Sequence, residues 1–166
     1  MKKTIKRVLF FSSFFLLLTS SSCETNDIET GDESFSCYIN GQLFIPKANV
    51  NLLGTLPHQN NLSFGKDSSF LIRAANQDYG IFFSIENFSL GEFNLSESDG
   101  NNFNYQLSHI IIRTREDKTY LSKDNSGSVT FTEVSDTNVE GTFEFTLYNE
   151  NDETDIIKVT NGKFND

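Results

Sequence analysis

The stretch GSVTFTEVSDTNVEGTFEFTLYN, residues 127–149, decides the fold class. In its first half Val129 and Phe131 alternate with Thr130 and Thr132. In its second half Val139, Phe143, Phe145 and Leu147 oppose Glu140, Thr142, Glu144 and Thr146. A period of two puts alternate side chains on opposite faces of a strand, so one face is core and the other is wet, as in antiparallel sheet.

The same period runs outward in both directions. Upstream, SFSCYI and QLFIP flank Asn40-Gly41, the preferred pair for a two-residue type I′ hairpin turn, and Pro46 ends the second strand. Within SFSCYIN the alternation sets Phe35, Cys37 and Ile39 on one side, so Cys37 is expected in the core as a small buried hydrophobe. Further strands are expected at 62–66, 70–75, 79–88, 92–95, 103–115, 119–123 and 155–164. Ile110, Ile111 and Ile112 break the alternation, which calls for a bulge or for a strand covered on both sides. No segment past residue 23 has apolar positions at helical spacing. The expected fold is therefore all-β, an antiparallel β-sandwich or flattened β-barrel of about nine or ten strands with few or no helices, in a single domain over residues 34–166.

The front of the chain is of another kind. Lys2, Lys3, Lys6 and Arg7 precede an apolar run from Val8 to Leu18, the charged and oily regions of a secretory signal. The run is about half the roughly 20 residues a membrane-spanning helix needs. It ends in Ser20-Ser21-Ser22-Cys23, which resembles the signal of bacterial lipoproteins, with small residues before a cysteine that is lipidated and then becomes the new N-terminus. Ser20 stands where that signal usually has Leu, and an ordinary signal peptidase would also accept Ser20-x-Ser22. The expectation is a lipoprotein signal peptide over 1–22, lipidation at Cys23, and a flexible tether completing residues 23–33. Two or more acyl chains hold a protein stably at a membrane without a spanning segment. The acids Glu24 and Asp27 resemble the export tag that carries some Bacteroidota lipoproteins to the outer face of the outer membrane.

Beyond Cys23 the chain has nine basic residues against all 23 acidic ones, a formal charge of −14. Such a surface repels phosphate backbones and lacks a basic patch, so no nucleic acid partner is expected. Thirteen of the 17 phenylalanines lie in this part and supply the bulk of a core that has no tryptophan.

Chemistry-bearing residues are sparse. His58 and His109 are the two imidazoles, and with Cys23 committed and Cys37 buried they make no zinc set, so no metal is expected. No GxSxG and no phosphate-cradling glycine loop is present. Glu140 and Glu144 share a strand face about 13 Å apart at roughly 3.3 Å per residue, farther than the 6.5–9.5 Å or so of an inverting glycosidase pair. The loops 96–102 and 149–155 are rich in Asp and Asn but match no calcium-loop pattern. Without a catalytic constellation the chain reads as a non-enzyme without catalytic residues or cofactors. Candidate ligand contacts are the aromatics on the less apolar side of their strands: Tyr38, Phe44, Tyr79, Phe82, Tyr120 and Tyr148.

The order of FSCYINGQLFIP, LGEFNLSES, FNYQL, SGSVTFTEVSDTNVEGTFEFTLYN and KVTNGKF resembles a family of small Bacteroidota lipoproteins with a domain of unknown function. The most specific pieces are Asn40-Gly41, the run from Val139 to Phe145, and Thr160 to Phe164. Where relatives often carry Trp, this chain has Phe44-Ile45-Pro46. The resemblance implies fold and location but carries over no catalytic residue. The expected role is a binding or presentation module lipid-anchored at the outer membrane, with a glycan or an envelope protein as partner. The alternatives are an accessory subunit of an outer-membrane assembly and a lipocalin-like carrier with a hollow barrel.

Overall fold

The computed structural model describes residues 34–47, 62–66 and 69–166. The signal segment, Cys23, the tether and His58 lie outside the described residues. The elements are β1 (Phe35–Ile39), β2 (Gln42–Phe44), β3 (Leu62–Lys66), β4 (Ser69–Ala75), β5 (Tyr79–Glu86), β6 (Gly91–Asn94), β7 (His109–Thr114), β8 (Thr119–Leu121), β9 (Gly127–Val134), β10 (Val139–Asn149) and β11 (Asp152–Asn165). No helix occurs among the described residues. Each segment with a two-residue period carries one of these strands.

All pairings are antiparallel, in the order β2-β1-β11-β10-β8-β7-β5-β4-β3. The sheet forks at β10, whose first part, from Val139 to Phe145, pairs with β9, while Tyr148 and Asn149 pair with β8. β6 extends the fork beyond β9. The single sheet curls into a half-barrel, and a bulge in β11 contributes to the curl. Asn161 adopts φ 51°, and β11 advances three residues where β1 and β10 each advance two. A bulge of this kind increases local twist and bends the strand.

The concave side is filled with phenylalanine. Phe70 of β4 reaches Phe131 of β9 and Phe164 of β11, at centroid distances of 5.3 and 5.2 Å. Phe143 stacks on Phe35 at 5.3 Å and meets Phe83 edge-on at 5.0 Å. Such pairs add about 0.5–1.5 kcal/mol beyond the area they bury. Lys66 at the end of β3 pairs with Asp166 at 2.7 Å, tying one arm of the sheet to the other. Cys37 is fully buried within this core, as its alternation predicts, and burial pushes its thiol up to about 12.

Room for the rings comes from glycine. In the register of β9, β10 and β11, Gly127 faces Phe145, Gly141 faces Phe164 and Gly162 faces Phe143. A Cβ added at Gly162 would land on the ring of Phe143, and one at Gly141 on the ring of Phe164. The rings of Phe143 and Phe164 thus lie across their facing glycines and cover backbone that would otherwise be bare, while at Gly127 it is the backbone and Cβ of Phe145 that leave no room for a side chain.

The three isoleucines are explained by cover on both sides, with no bulge. Ile110 and Ile112 point into the core, and Ile111 on the convex face is only 1% exposed. β7 begins at His109, so residues 103–108 are not strand as the sequence suggested. They belong to a strap, residues 95–108, which crosses the convex side over β5 and β7. Its backbone bonds run from Ser96 N to Ser108 O at 2.8 Å and from Ser98 N to Ser122 O at 2.9 Å. Its side-chain ties include Arg113 to Asn102 Oδ1 at 3.3 Å.

Replacing Gly162 by alanine is expected to displace Phe143 and to destabilise the fold by about 1–3 kcal/mol, the usual effect of overpacking. Urea unfolding would show it as a lower midpoint at unchanged slope, whereas Thr160→Ala on the wet face of the same strand should stay within about 0.5 kcal/mol.

Candidate functional site

Four sequential hairpins, β1–β2, β4–β5, β7–β8 and β10–β11, put all four of their turns at one end of the half-barrel. The turns are built by residues suited to them. Asn40 and Gly41 have φ of 49° and 82°, the two positive values that the Asn-Gly pair predicts. Asn76 Oδ1 accepts from the backbone N–H groups of Asp78 and Tyr79, both at 2.9 Å. Asp117 takes φ 57°, and Asn149 Oδ1 accepts from Asn151 N at 2.9 Å.

The turns are also bonded to their neighbours. Asn40 exchanges two bonds with Lys158, N to O and N to Oδ1, each of 2.8 Å. Arg115 N donates to Asp78 O, and Glu150 N to Thr119 O, both at 3.0 Å. Between them opens a cleft of about 460 Å³, lined among others by Tyr79, Arg115, Lys118, Tyr120, Asp155 and Ile157.

Asp155 is the hub of this cleft. Its Oδ2 accepts from Lys118 Nζ at 2.8 Å, Tyr120 OH at 2.9 Å and Asn149 Nδ2 at 3.0 Å. The Lys118 bond, followed by those of Asn149 and Tyr120, holds the Asp155 carboxyl below its usual range. The same bond raises Lys118. Tyr120 is also raised, first by burial and then by Asp155. The cleft thus gathers the bonded carboxylate of Asp155, the acidic residues Asp78 and Glu116, the basic residues Lys118 and Arg115, and the ring of Tyr79. Hollows of similar size, about 500 and 450 Å³, lie over β9, β10 and β11. They are lined by the strands' own Thr, Glu and Lys side chains and gather no comparable network.

The six aromatic candidates separate into three groups. Tyr79 and Tyr120 meet in the cleft, although the Tyr120 ring lies in the core and only its hydroxyl reaches the hub. Tyr38 and Tyr148 are on the convex face. Tyr38 is 39% exposed opposite Leu43, and Tyr148 lies under the ammonium of Lys123 at 4.7 Å. Phe44 and Phe82 are corrections, since each is only 1% exposed. Phe44 turns inward against Phe35 at 6.0 Å, and Phe82, although on the convex side, is roofed by Arg73 at 5.6 Å and by the strap. His109 is fully buried, and its Nδ1 lies 2.8 Å from Ser98 Oγ. The two Asx-rich loops become the front of the strap and the turn that carries Asp155. The hub itself carries no local sequence signal, because Lys118 and Asp155 are 37 residues apart.

Since the Asp155 carboxyl sits below its ordinary value in the folded chain, its contribution to stability is in place above about pH 4 and is lost as pH falls through the folded value. A carboxyl titration followed by NMR should find Asp155 among the most acidic side chains, and Lys118→Met should return its midpoint towards the ordinary range.

In comparisons with known proteins, no curated protein and no solved structure matches. Residues 58–166 match the family described as Domain of unknown function (DUF6252), a span that includes the glycine-bearing motifs of β9, β10 and β11 and leaves out the first hairpin. The chain belongs to this DUF6252 family.

Proposed function

We propose that the protein is a lipid-anchored lipoprotein of the outer membrane, whose β domain binds a ligand without chemical turnover, and that the cleft at the turn end is the binding site. The observation that carries this reading is the convergence of Tyr79, Lys118, Tyr120 and Asp155 from three hairpins into one cleft. A charged donor, a charged acceptor and an aromatic ring on a rigid frame suit the hydroxyls and apolar faces of a sugar. The path of the chain supports the same reading. β1 enters beside the end of β11, with Phe35 opposite Phe164, and runs towards the turns. The described chain thus begins at the end of the half-barrel away from the cleft.

The accessory-subunit reading has one observation in its favour. Tyr38 and Leu43 are cross-strand neighbours, 39% and 48% exposed, beside the outer edge of β2. The carrier reading has no support in a concave side packed with phenylalanine.

Two measurements test the proposal. Labelled palmitate should enter the protein in growing cells and disappear with Cys23→Ala; label retained by that variant removes the anchor from the reading. Calorimetric titration with neutral hexasaccharides (cello-, malto- and xylohexaose) should detect binding that Asp155→Asn and Tyr79→Ala each weaken about tenfold, the effect of losing one good polar contact. Binding unchanged in both variants would move the site elsewhere.

A further inference from the structure

The strap covers a buried polar pair that nothing else in the structure employs. Ser84 of β5 and His109 of β7 are register partners on the convex face, and both are fully buried. Among the described residues, the buried side-chain polar atoms without a partner are Ser84 Oγ and His109 Nε2. The other side of the ring is engaged, with Nδ1 at 2.8 Å from Ser98 Oγ in the strap. Ser98 Oγ also accepts from Gly100 N at 3.2 Å, so its own hydrogen is best directed to Nδ1, which places the ring proton on Nε2. Such a ring fits beneath the strap only as neutral imidazole. A second proton would sit on Nδ1, reverse the bond to Ser98, whose hydroxyl would then have to accept from the ring as well as from Gly100 N, and leave a charge where water cannot reach.

The surrounding charges do not relieve this. Asp99 on the strap is the charge that acts on the ring, favouring protonation, but burial outweighs it and holds the ring below its ordinary value. The Asp99 carboxylate is committed to Asn101 N and Asn104 Nδ2, each at 2.9 Å. Glu97 is exposed beside it on the strap, while Glu86 follows Ser84 on β5 and bonds Asn87. Arg73 on β4 and Arg113 on β7 add positive charge to the same face and are themselves bound to the strap, at Tyr105 OH and Asn102 Oδ1. Lys123, just after β8, pairs with Glu153.

Beneath the strap lies an apolar row in register: Phe82 opposite Ile111, and Ile111 opposite Leu121, which continues to Tyr148 and Ile156 in the open. The strap covers the first two, each 1% exposed, while Ile156 is 36% exposed. We propose that residues 95–108 are an acid-released latch, closed while His109 is neutral and opened by its protonation, so that acidification uncovers Phe82 and Ile111 and lengthens the apolar row on the convex face. This device is independent of the cleft and of whatever binds there.

Amide exchange followed by mass spectrometry on the whole protein, corrected for the intrinsic pH dependence of exchange, tests it. Between about pH 7.5 and pH 5 the amides of Ser96 and Ser98 should lose protection, about tenfold per pH unit once the pH is below the ring's ordinary value of about 6.5, while β10 and β11 keep theirs. His109→Gln should abolish that pH dependence, and Ser98→Ala should open the strap already at neutral pH. Should His109→Gln not fold, the imidazole titration of His109 in the unaltered protein, read by NMR, must share its midpoint with strap opening. Equal pH dependence with and without His109, unmatched midpoints, or loss of protection spread evenly over β10 and β11 would each overturn the latch.

Discussion

The structure depends on a size exchange between neighbouring strands. Each phenylalanine that β9, β10 and β11 bring to the concave face has a glycine facing it in one neighbouring strand: Phe131 and Phe164 share Gly141, Phe145 has Gly127 and Phe143 has Gly162. The rings of Phe143 and Phe164 lie over the backbone of their glycines, and they reach across the curl to Phe70, Phe83 and Phe35. A slip of one residue would turn the core side chains to the wet face, and a slip of two would set Phe143 against Phe164. The pairs therefore fix register and fill the core in one step. A chain without tryptophan needs that economy, because its bulk is spread over many medium-sized rings.

With the register fixed, the geometry of the ends follows. An all-antiparallel order with four two-strand hairpins must send their turns to a common end, and short turns made from Asn, Asp and Gly leave little slack. Groups far apart in the chain are thereby held at hydrogen-bond distance with little conformational freedom left to lose, which favours recognition. The opposite, convex side is treated differently. There the sheet is apolar on its second face over β5 and β7, and a segment without regular structure, fastened by serines, asparagines and two arginines, provides the cover.

How much of this can be read in the sequence depends on whether the signal is local. Alternation along residues 127–149 and the Asn40-Gly41 turn are local, and the strands and hairpin they predict are present. Residues 103–108 alternate too, but there the alternation is that of a strap with one side on the sheet, and periodicity alone does not distinguish the two. Phe44 lies on the core face, opposite Cys37, a placement that the short β2 does not reveal by alternation, and Phe82 departs from its expected exposure for a reason related to the strap. The less apolar side of a strand is wet only if nothing lies over it, and for β5 something does. The glycines of the motifs at 139–145 and 160–164 were visible as pattern, while their purpose appears only in the cross-strand register. Asp155 had no signal beyond membership of an acidic loop, because a hub with partners from two hairpins is a property of the assembled end.

β11 lies between β1 and β10, so the first strand described is zipped directly to the last. More than 100 residues separate Asn40 from Lys158, whose side chain and backbone bonds close that seam. Until β11 has been made, β1 and its hairpin have no mate, and the ring of Phe143 has no glycine to rest on. Such long-range closure makes for slow, all-at-once acquisition of structure, and a nascent chain would stay threadable, and open to whatever machinery handles it, until β11 has been made.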